Sequence, residues 1–559
     1  MIRPKFRRTL PMLSSLAVAI AASVHAGGPS SSHSTMSPQL ASALERMRSN
    51  AREQWESGAA KFVRRTPHAT GSNLQVTSCA DDGSDGTLRV VVASAQTGDT
   101  VDLTQLSCAT ITLTQGYILD NFEVPSFTIQ GPGMHALTIS GANASGIFYH
   151  AGSGQLSISD VSLADGYAED SWGGCLLAPG GGFALSRVSV SNCEVHQVTM
   201  LHGSNAMGGG VMAFGEVDVV DSVITGNTLS SELADAAGYT DVLSGGGIFS
   251  LIGPLTVTRS AITNNTIVST MPIQGELHGG GATSQVGAVT ATDSVFSGNS
   301  MQSGFMDDAV LFSRSAGAGL EAQAGDLAIT NSTFDGNSIV NALPVARSYG
   351  AGIFFGGNYA TISGSTFSNN YSMGRSAGIC DHGYSMALVN TTVSGNHAVD
   401  TIGGVYAVGT LHVTNSTIAF NISDAGVGGL GTYAATSLQS TIIASNTGTG
   451  GSPDIQLMGS GSVSGNHDFV GVPGSVSLPP DTISGDPLLQ PLAVNGGPTR
   501  THALGVGSTA IDAGSNPLAL DFDQRGSGYP RVVGSAADIG AYESGTSPPD
   551  EIFASGFDP

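Results

Sequence analysis

A glycine followed 17 or 18 residues later by an asparagine recurs eight times in succession along this chain. The glycines are Gly210, Gly247, Gly281, Gly319, Gly352, Gly378, Gly404 and Gly429; the asparagines are Asn227, Asn265, Asn299, Asn337, Asn370, Asn396, Asn421 and Asn446. Ser or Thr stands five residues before every asparagine, from Ser222 to Thr441, and Ile, Val or Phe three before it, from Ile224 to Ile443. A unit this short cannot bury a core alone, so each must stack on its neighbours. Stretches such as Leu255-Thr256-Val257 and Leu411-His412-Val413 alternate with the strand period of two, and helical periodicity is absent from the repeats.

The fold class that follows is all-β: a right-handed parallel β-helix with a short N-terminal helical cap and a C-terminal β cap. Working backwards, the register reaches Cys175 with Leu185 and Val190, and Gly146 with Ser159 and Val161, which makes ten coils. The recurring residues have structural explanations. Glycine suits tight turns and close approach of successive coils, and Asn and Ser/Thr at fixed positions can bond their counterparts one coil away. The 78 glycines show no triplet period, which excludes collagen, and a 40% hydrophobic fraction is ample for a packed interior.

The chain divides into a signal peptide (1–26), a flexible and helical segment (27–78), an N-terminal cap with the first coils (79–145), the β-helix (146–470), a C-terminal domain (471–545) and a linker with terminal tail (546–559). Arg3, Lys5, Arg7 and Arg8 precede an apolar run, and Val24-His25-Ala26 supplies a cleavage site. Export to the extracellular space or the outer membrane of a Gram-negative cell is expected. Helices are expected within 38–65 and 86–96, the latter covering the open end of the solenoid. Five cysteines in an exported chain suggest disulfides. Cys79 and Cys108 form the first expected pair. Cys175 and Cys193 occupy the glycine and asparagine positions of a degenerate coil, and their pairing depends on coil geometry. Cys380 is left as a buried thiol.

Two resemblances add to this reading. The combination of Gly245-Gly246-Gly247-Ile248 with Phe-x-x-Asn units ending at Asn299, Asn337 and Asn370 resembles the repeats of chlamydial polymorphic outer membrane proteins. That implies a pectin lyase-like solenoid and a role in adhesion; the membrane barrel that ends such proteins has no counterpart series of strands here. Residues 484–543 contain Asn495-Gly496-Gly497-Pro498, Ala510-Ile511-Asp512-Ala513-Gly514, Asp523-Gln524-Arg525-Gly526 and Asp538-Ile539-Gly540-Ala541-Tyr542-Glu543. This series resembles the choice-of-anchor Q domain of bacterial exported β-helix proteins. Asp512, Asp523, Arg525 and Asp538 are expected to form a buried polar network within it. The ending Phe553-Ala554-Ser555-Gly556-Phe557-Asp558 resembles a sorting tail of xanthomonad-type exported proteins, with a final pinned strand as the plainer alternative.

Spacing locates a candidate surface. From each asparagine to the next glycine the interval is 8 after Asn370, Asn396 and Asn421, but 20, 16, 20 and 15 after Asn227, Asn265, Asn299 and Asn337, and 17 after Cys193. The five insertions leave the same corner of consecutive coils and must lie side by side as a wall or groove, and such a face is often the binding surface of a solenoid. They carry Glu194 and His202; Asp235, Tyr239 and Asp241; Glu276 and His278; Asp307, Asp308 and Arg314; and Arg347 and Tyr349. Carboxylates with an arginine are what a Ca2+-assisted uronate lyase needs, and an Asp pair suits glycoside hydrolysis. Yet a pair such as Asp307-Asp308 is more often a solvated loop charge, and His202 and His278 lack metal-ligand spacing. Asp381-His382-Gly383 resembles a Gly-His-Gly element of polygalacturonases, whose Asn-Thr-Asp and Arg-Ile-Lys motifs are missing.

From residue 66 onward nine basic residues face forty acidic ones, a formal charge of −31. Such a surface repels nucleic acid and anionic lipid. The expected activity is binding as a monomer to an extracellular polysaccharide or a cell-surface glycan or protein. No cofactor is required, with Ca2+ the one conceivable ion. A polysaccharide lyase or glycoside hydrolase in the same groove is the alternative, and a passive envelope component the second.

Overall fold

The computed structural model describes residues 68–120, 123–198, 205–232, 241–270, 275–304, 314–341, 347–449 and 453–545. The signal peptide, helix and sorting tail expected within 1–26, 38–65 and 546–559 lie outside them. The chain forms two compact units, Met1–Thr290 with Phe296–Gly325 and Ile339–Arg347, and Ala291–Val295 with Asp326–Ser338 and Ser348–Pro559. Both are built as the repeat requires, from short parallel strands stacked coil on coil in a right-handed parallel β-helix.

In the first unit one coil runs through Val211–Ala213, then Val217–Val220 and Val223–Thr225, then Thr228–Ser231 and Asp241–Ser244. Each pairs in parallel register with its counterpart in the next coil: Ile248–Ser250, Leu255–Thr258, Ala261–Thr263, Thr266–Ser269 and Gly275–His278. The middle two strands form a long bent sheet flanked by a second and a third sheet. The last strand, made by the insertion, belongs to a fourth sheet. In the second unit the coil shortens to Ile379–Asp381, Ser385–Val389, Thr392–Ser394 and His397–Ala398. There the isolated bridges Ser376 to Ile402 to Val427 stand where the fourth sheet would be.

Two backbone positions make the corners. The long sheet bends where Asp221, Arg259, Asn390 and Asn415 take positive φ, and the chain turns again at the residue before each ladder asparagine, as at Gly226, Asn264, Asn369 and Gly395. These are conformations that Gly, Asn and Asp adopt most readily. Inside, the residue three before each asparagine stacks on its like: Ile224 on Ile262, and Phe334 on Phe367 with ring centroids 4.7 Å apart. All four are fully buried.

The asparagines form a hydrogen-bonded column through the interior. Asn370 Nδ2 donates to Asn396 Oδ1 at 2.8 Å, Asn396 Nδ2 to Asn421 Oδ1 at 2.8 Å, and Asn421 Nδ2 to Asn446 Oδ1 at 2.9 Å. The same oxygens accept the backbone N–H of the preceding asparagine, and Asn396 Nδ2 also donates to Phe367 O. The glycine half of the repeat makes room for this column and for the next coil, whose Gly281 carbonyl a Cβ on Gly247 would meet at 2.6 Å. A Cβ on Gly247 would come within 2.9 Å of the Asn265 amide carbon, and one on Gly210 within 3.0 Å of that of Asn227, each in its own coil. In the degenerate coil those adjoining sites hold Cys175 and Cys193, and adjacency becomes a disulfide with Cα atoms 5.5 Å apart. Cys79 and Cys108 also pair, and Cys380 is a buried thiol outside both disulfides.

Each column ends on a buried aspartate. Asp454 Oδ1 accepts both the backbone N–H and the Nδ2 of Asn446, taking the place of a further asparagine. The parallel Ser/Thr column, in which Thr391 N donates to Ser416 Oγ, closes where Thr441 N donates to Asp468 Oδ1. Burial pushes the Asp468 carboxyl up to about 7, against the bond from Thr441.

Within 86–96 the helix is Leu88–Ser94, six of its seven residues buried. Arg89 bonds Asp81 through two nitrogens and also the carbonyls of Gly116 and Tyr117, which ties the helix to the first coils. At the other terminus the acidic and arginine residues do form a network. Arg525 bonds Asp523 and lies between the rings of Tyr529 and Tyr542, at 4.1 and 3.8 Å; Arg531 reaches Glu543; and Asp538 accepts from Asp512 N and Ser544 N. Contrary to expectation the Asp512 side chain is exposed, and its carboxylate caps the turn at Ser535 N and Ala536 N instead.

This C-terminal segment is not only an end cap. Ile483 does bridge Phe469 at the last strand, but most of the segment runs back along the outer face of the half-strands at Thr366–Ser368, Thr392–Ser394, Thr417–Ala419 and Ile442–Ala444. Gln524 bonds Thr366 and Thr392, Thr499 bonds Gly364 O, His502 bonds Ser394, and Ser515 N donates to Ser440 Oγ. It does so with turns and isolated bridges, because its Gly, Pro, Asp and Asn content disfavours continuous strands.

Asn396→Ala removes the acceptor of two buried donors and is expected to cost about 3 kcal/mol at 1–3 kcal/mol per orphaned group. Exposed Thr361→Ala should stay within about 0.5 kcal/mol; urea unfolding of the two variants tests the contrast. A second expectation concerns pH. With the Asp468 carboxyl raised from 3.8 to about 7, the folded state holds a proton that the unfolded chain has lost. Stability therefore falls as pH rises between those values. Burial raises Asp381 to about 6 and Glu543 to about 7 in the same sense. Asp468→Asn should flatten a measurable part of this slope in thermal melts from pH 4 to 8.

Candidate functional site

The insertions do lie side by side. Asn205–Met207, Asp241–Ser244, Gly275–His278 and Arg314–Ala316 stack in parallel register as the fourth sheet of the first unit. Arg347–Tyr349 is the corresponding strand one coil on. Of the candidate residues, His202, Asp235, Tyr239, Asp307 and Asp308 lie outside the described residues, and Asp241 opens its strand with its side chain undescribed. Glu194 is not in an insertion: it begins strand Glu194–Gln197 of the third sheet, where its carboxylate accepts from Ser230.

Glu276, His278 and Arg314 come together around a residue that spacing did not flag. Glu321 is fully buried at the middle of second-sheet strand Leu320–Ala322 and faces outward toward the wall. His278 Nδ1 is 2.8 Å from Glu321 Oε2, His278 Nε2 is 3.0 Å from Glu276 Oε2, and Arg314 Nη2 is 2.8 Å from Glu321 Oε1. Gln323 Nε2 donates to Glu321 Oε1 at 2.9 Å, and Gln323 Oε1 accepts from Gln285 Nε2 at 2.6 Å. Burial opposes charge on the imidazole, but Glu321 and Glu276 outweigh it and hold its pKa up at about 9. His278 is thus an imidazolium at neutral pH, donating from both nitrogens. Glu321 was legible in principle, since Met212, Phe249 and Thr283 fill its register position in other coils and a carboxylate there demands a partner.

Chemically, the cluster is a neutralised strut. Two carboxylates meet one imidazolium and one guanidinium, and both Glu321 oxygens are engaged away from solvent. Among the described residues no group of His, Cys, Asp and Glu is arranged to hold a metal ion, and here the carboxylates are already committed to cations. The strut ties the fourth sheet to the second. An apolar cluster does the same in earlier coils, where Met207 of the fourth sheet packs with Leu177, Met212, Phe214 and Phe249.

In the second unit Tyr349 is nearly buried, its ring 5.3 Å from His382 and 6.2 Å from Phe354, with the Arg375 guanidinium 5.8 Å away. Arg347 is half-buried at the head of its strand. Asp381, beside His382, is fully buried and accepts from Gly383 N.

No protein-family model, no curated protein and no solved structure matches the chain.

Glu321→Leu strands a buried imidazolium and a guanidinium, and should cost about 3–5 kcal/mol. The pH dependence has the opposite sign to that of Asp468. A His pKa raised from 6.5 to about 9 stabilises the fold fully below 6.5, and that stabilisation is lost as pH rises through 9. Hydrogen exchange in strand Gly275–His278, corrected for intrinsic rates, should accelerate from pH 7 to 10, and Glu276→Gln should shift the onset downward.

Proposed function

We propose that this is an exported β-helix protein that acts by binding a glycan or cell surface through the wall its insertions build. The observation that carries the reading is the construction of that wall. The insertions continue as strands in register, clamped to the body by a buried ion cluster and an apolar cluster, so these strands are held at fixed spacing. A preorganised surface lowers the ordering cost of binding, and a passive spacer has no need of one. Two disulfides accord with an oxidising compartment. The resemblances to choice-of-anchor Q proteins and to polymorphic outer membrane protein repeats, read from motifs, point to the same surface-exposed setting.

The alternative, a lyase or hydrolase, draws on two carboxylates set on either side of an imidazole. Against it, Glu321 is sealed from solvent and His278 is too basic for a general base near neutrality. A wall that binds needs neither group to react.

Replacing 233–240, 271–274 and 305–313 by Gly/Ser segments of equal length should abolish attachment to target cells or glycans while leaving the melting profile unchanged. Full attachment by this variant would refute the wall as the binding surface. Release of unsaturated or reducing ends from a polysaccharide panel would instead establish the enzyme.

A further inference from the structure

The second unit carries a candidate surface of its own on the long sheet. Outward side chains of its long sheet are small and apolar in one coil, Ala387 and Val389, and polar in the next two, His412 and Thr414, then Ser437 and Gln439. Along one side the returning C-terminal segment stands as a wall. Asn390 and Asn415 donate to Phe522 O and Ser515 O, and Leu518 between them leans over the sheet while remaining 52% exposed. The six side chains and Leu518 line a shallow cleft of about 260 Å3. Near the opposite edge Tyr359, in register with Ser385, projects from the same face, and Tyr384 packs edge-on against it with centroids 5.7 Å apart. These are large rings left in water, at 59% and 63% exposure.

We infer that this cleft is a second binding site, for a neutral polysaccharide lying across the stacked strands. The chemistry is complementary on three counts. Exposed tyrosine faces offer apolar area with a hydroxyl handle, suited to the C–H face of a pyranose. The floor offers hydroxyl, amide and imidazole groups to sugar hydroxyls, arranged in rows at the strand spacing of about 4.8 Å, close to the length of one sugar unit. Finally, the cleft contains no lysine or arginine, and the chain around it is strongly acidic, so a uronate or sulfated polymer is disfavoured. The returning segment thereby has a function beyond shielding strands, since it supplies the wall that makes a flat sheet concave.

The test uses the full chain and soluble probes: β-1,3-glucan, xylan and starch as neutral polymers, polygalacturonate and alginate as acidic ones. In affinity electrophoresis and calorimetry at least one neutral polymer should bind. Tyr359→Ala with Tyr384→Ala should weaken it at least tenfold, and Leu518→Arg should do likewise; all three positions are exposed, so folding is preserved. The Gly/Ser variant of the insertions should bind that polymer as wild type does, which separates this site from the wall. No retention of any neutral polymer, equal retention of the acidic ones, or binding lost with the insertions and kept in the tyrosine variant would each overturn the proposal.

Discussion

A column of side-chain amides sets the terms for the rest of this protein. Each ladder asparagine presents one oxygen to two donors of the preceding coil and one NH2 group to two acceptors, so it satisfies a buried turn that would otherwise hold open backbone groups. That arrangement works only if the next coil places another asparagine one strand spacing away, and only if the chain facing the amide has no side chain. Hence the glycine and the asparagine travel together although 17 or 18 residues separate them. The disulfide at Cys175 and Cys193 is the same adjacency expressed in sulfur. At the end of the column no asparagine follows, and Asp454 supplies the acceptor by remaining buried.

With the interior fixed, the two units differ in what covers the outside. In the first, half-strands such as Val223–Thr225 leave their outward residues partly exposed, while the second sheet is overlaid by the insertion wall. In the second, the equivalent half-strands Thr392–Ser394 and Ile442–Ala444 are buried throughout, because the C-terminal segment lies on them. Short coils there replace the fourth sheet by single bridges. The same repeat therefore presents a clamped wall in one unit and a bordered cleft in the other.

What could be read from sequence follows from which contacts are periodic. The strands, the interior columns, the inward Ile/Val/Phe and the disulfide between Cys79 and Cys108 were legible because each repeats or stands nearly alone. Residue-by-residue spacing also grouped Glu276, His278 and Arg314 on one face. Glu321 escaped because it sits in the regular part of a coil, where the eye expects stacking residues, and its role depends on which insertion arches over it. The fold-back of residues 484–543 escaped for a related reason. Gln524 meets Thr366 from 158 positions away, a pairing that no local pattern encodes.

The charge balance, read again with the contacts, says more than it did alone. All nine basic residues after position 65 are arginines, and eight of them hold a carboxylate: Arg89 with Asp81, Arg187 with Asp160, Arg259 with Asp221, Arg314 with Glu321, Arg375 with Asp400, Arg500 with Asp335, Arg525 with Asp523 and Arg531 with Glu543. Arginine suits that work because its planar fork can meet a carboxylate on two oxygens and keeps its charge when buried. The exposed pairs at Arg187 and Arg259 add little stability each, yet they still occupy the cation. Among the described residues most of the positive charge is thus paired with carboxylate, in buried struts at Arg89, Arg525 and Arg531 and in exposed pairs at Arg187 and Arg259. With its arginines so engaged, the described part of the chain offers few free cations to a polyanion, which is the electrostatic ground of the proposal for an uncharged polymer.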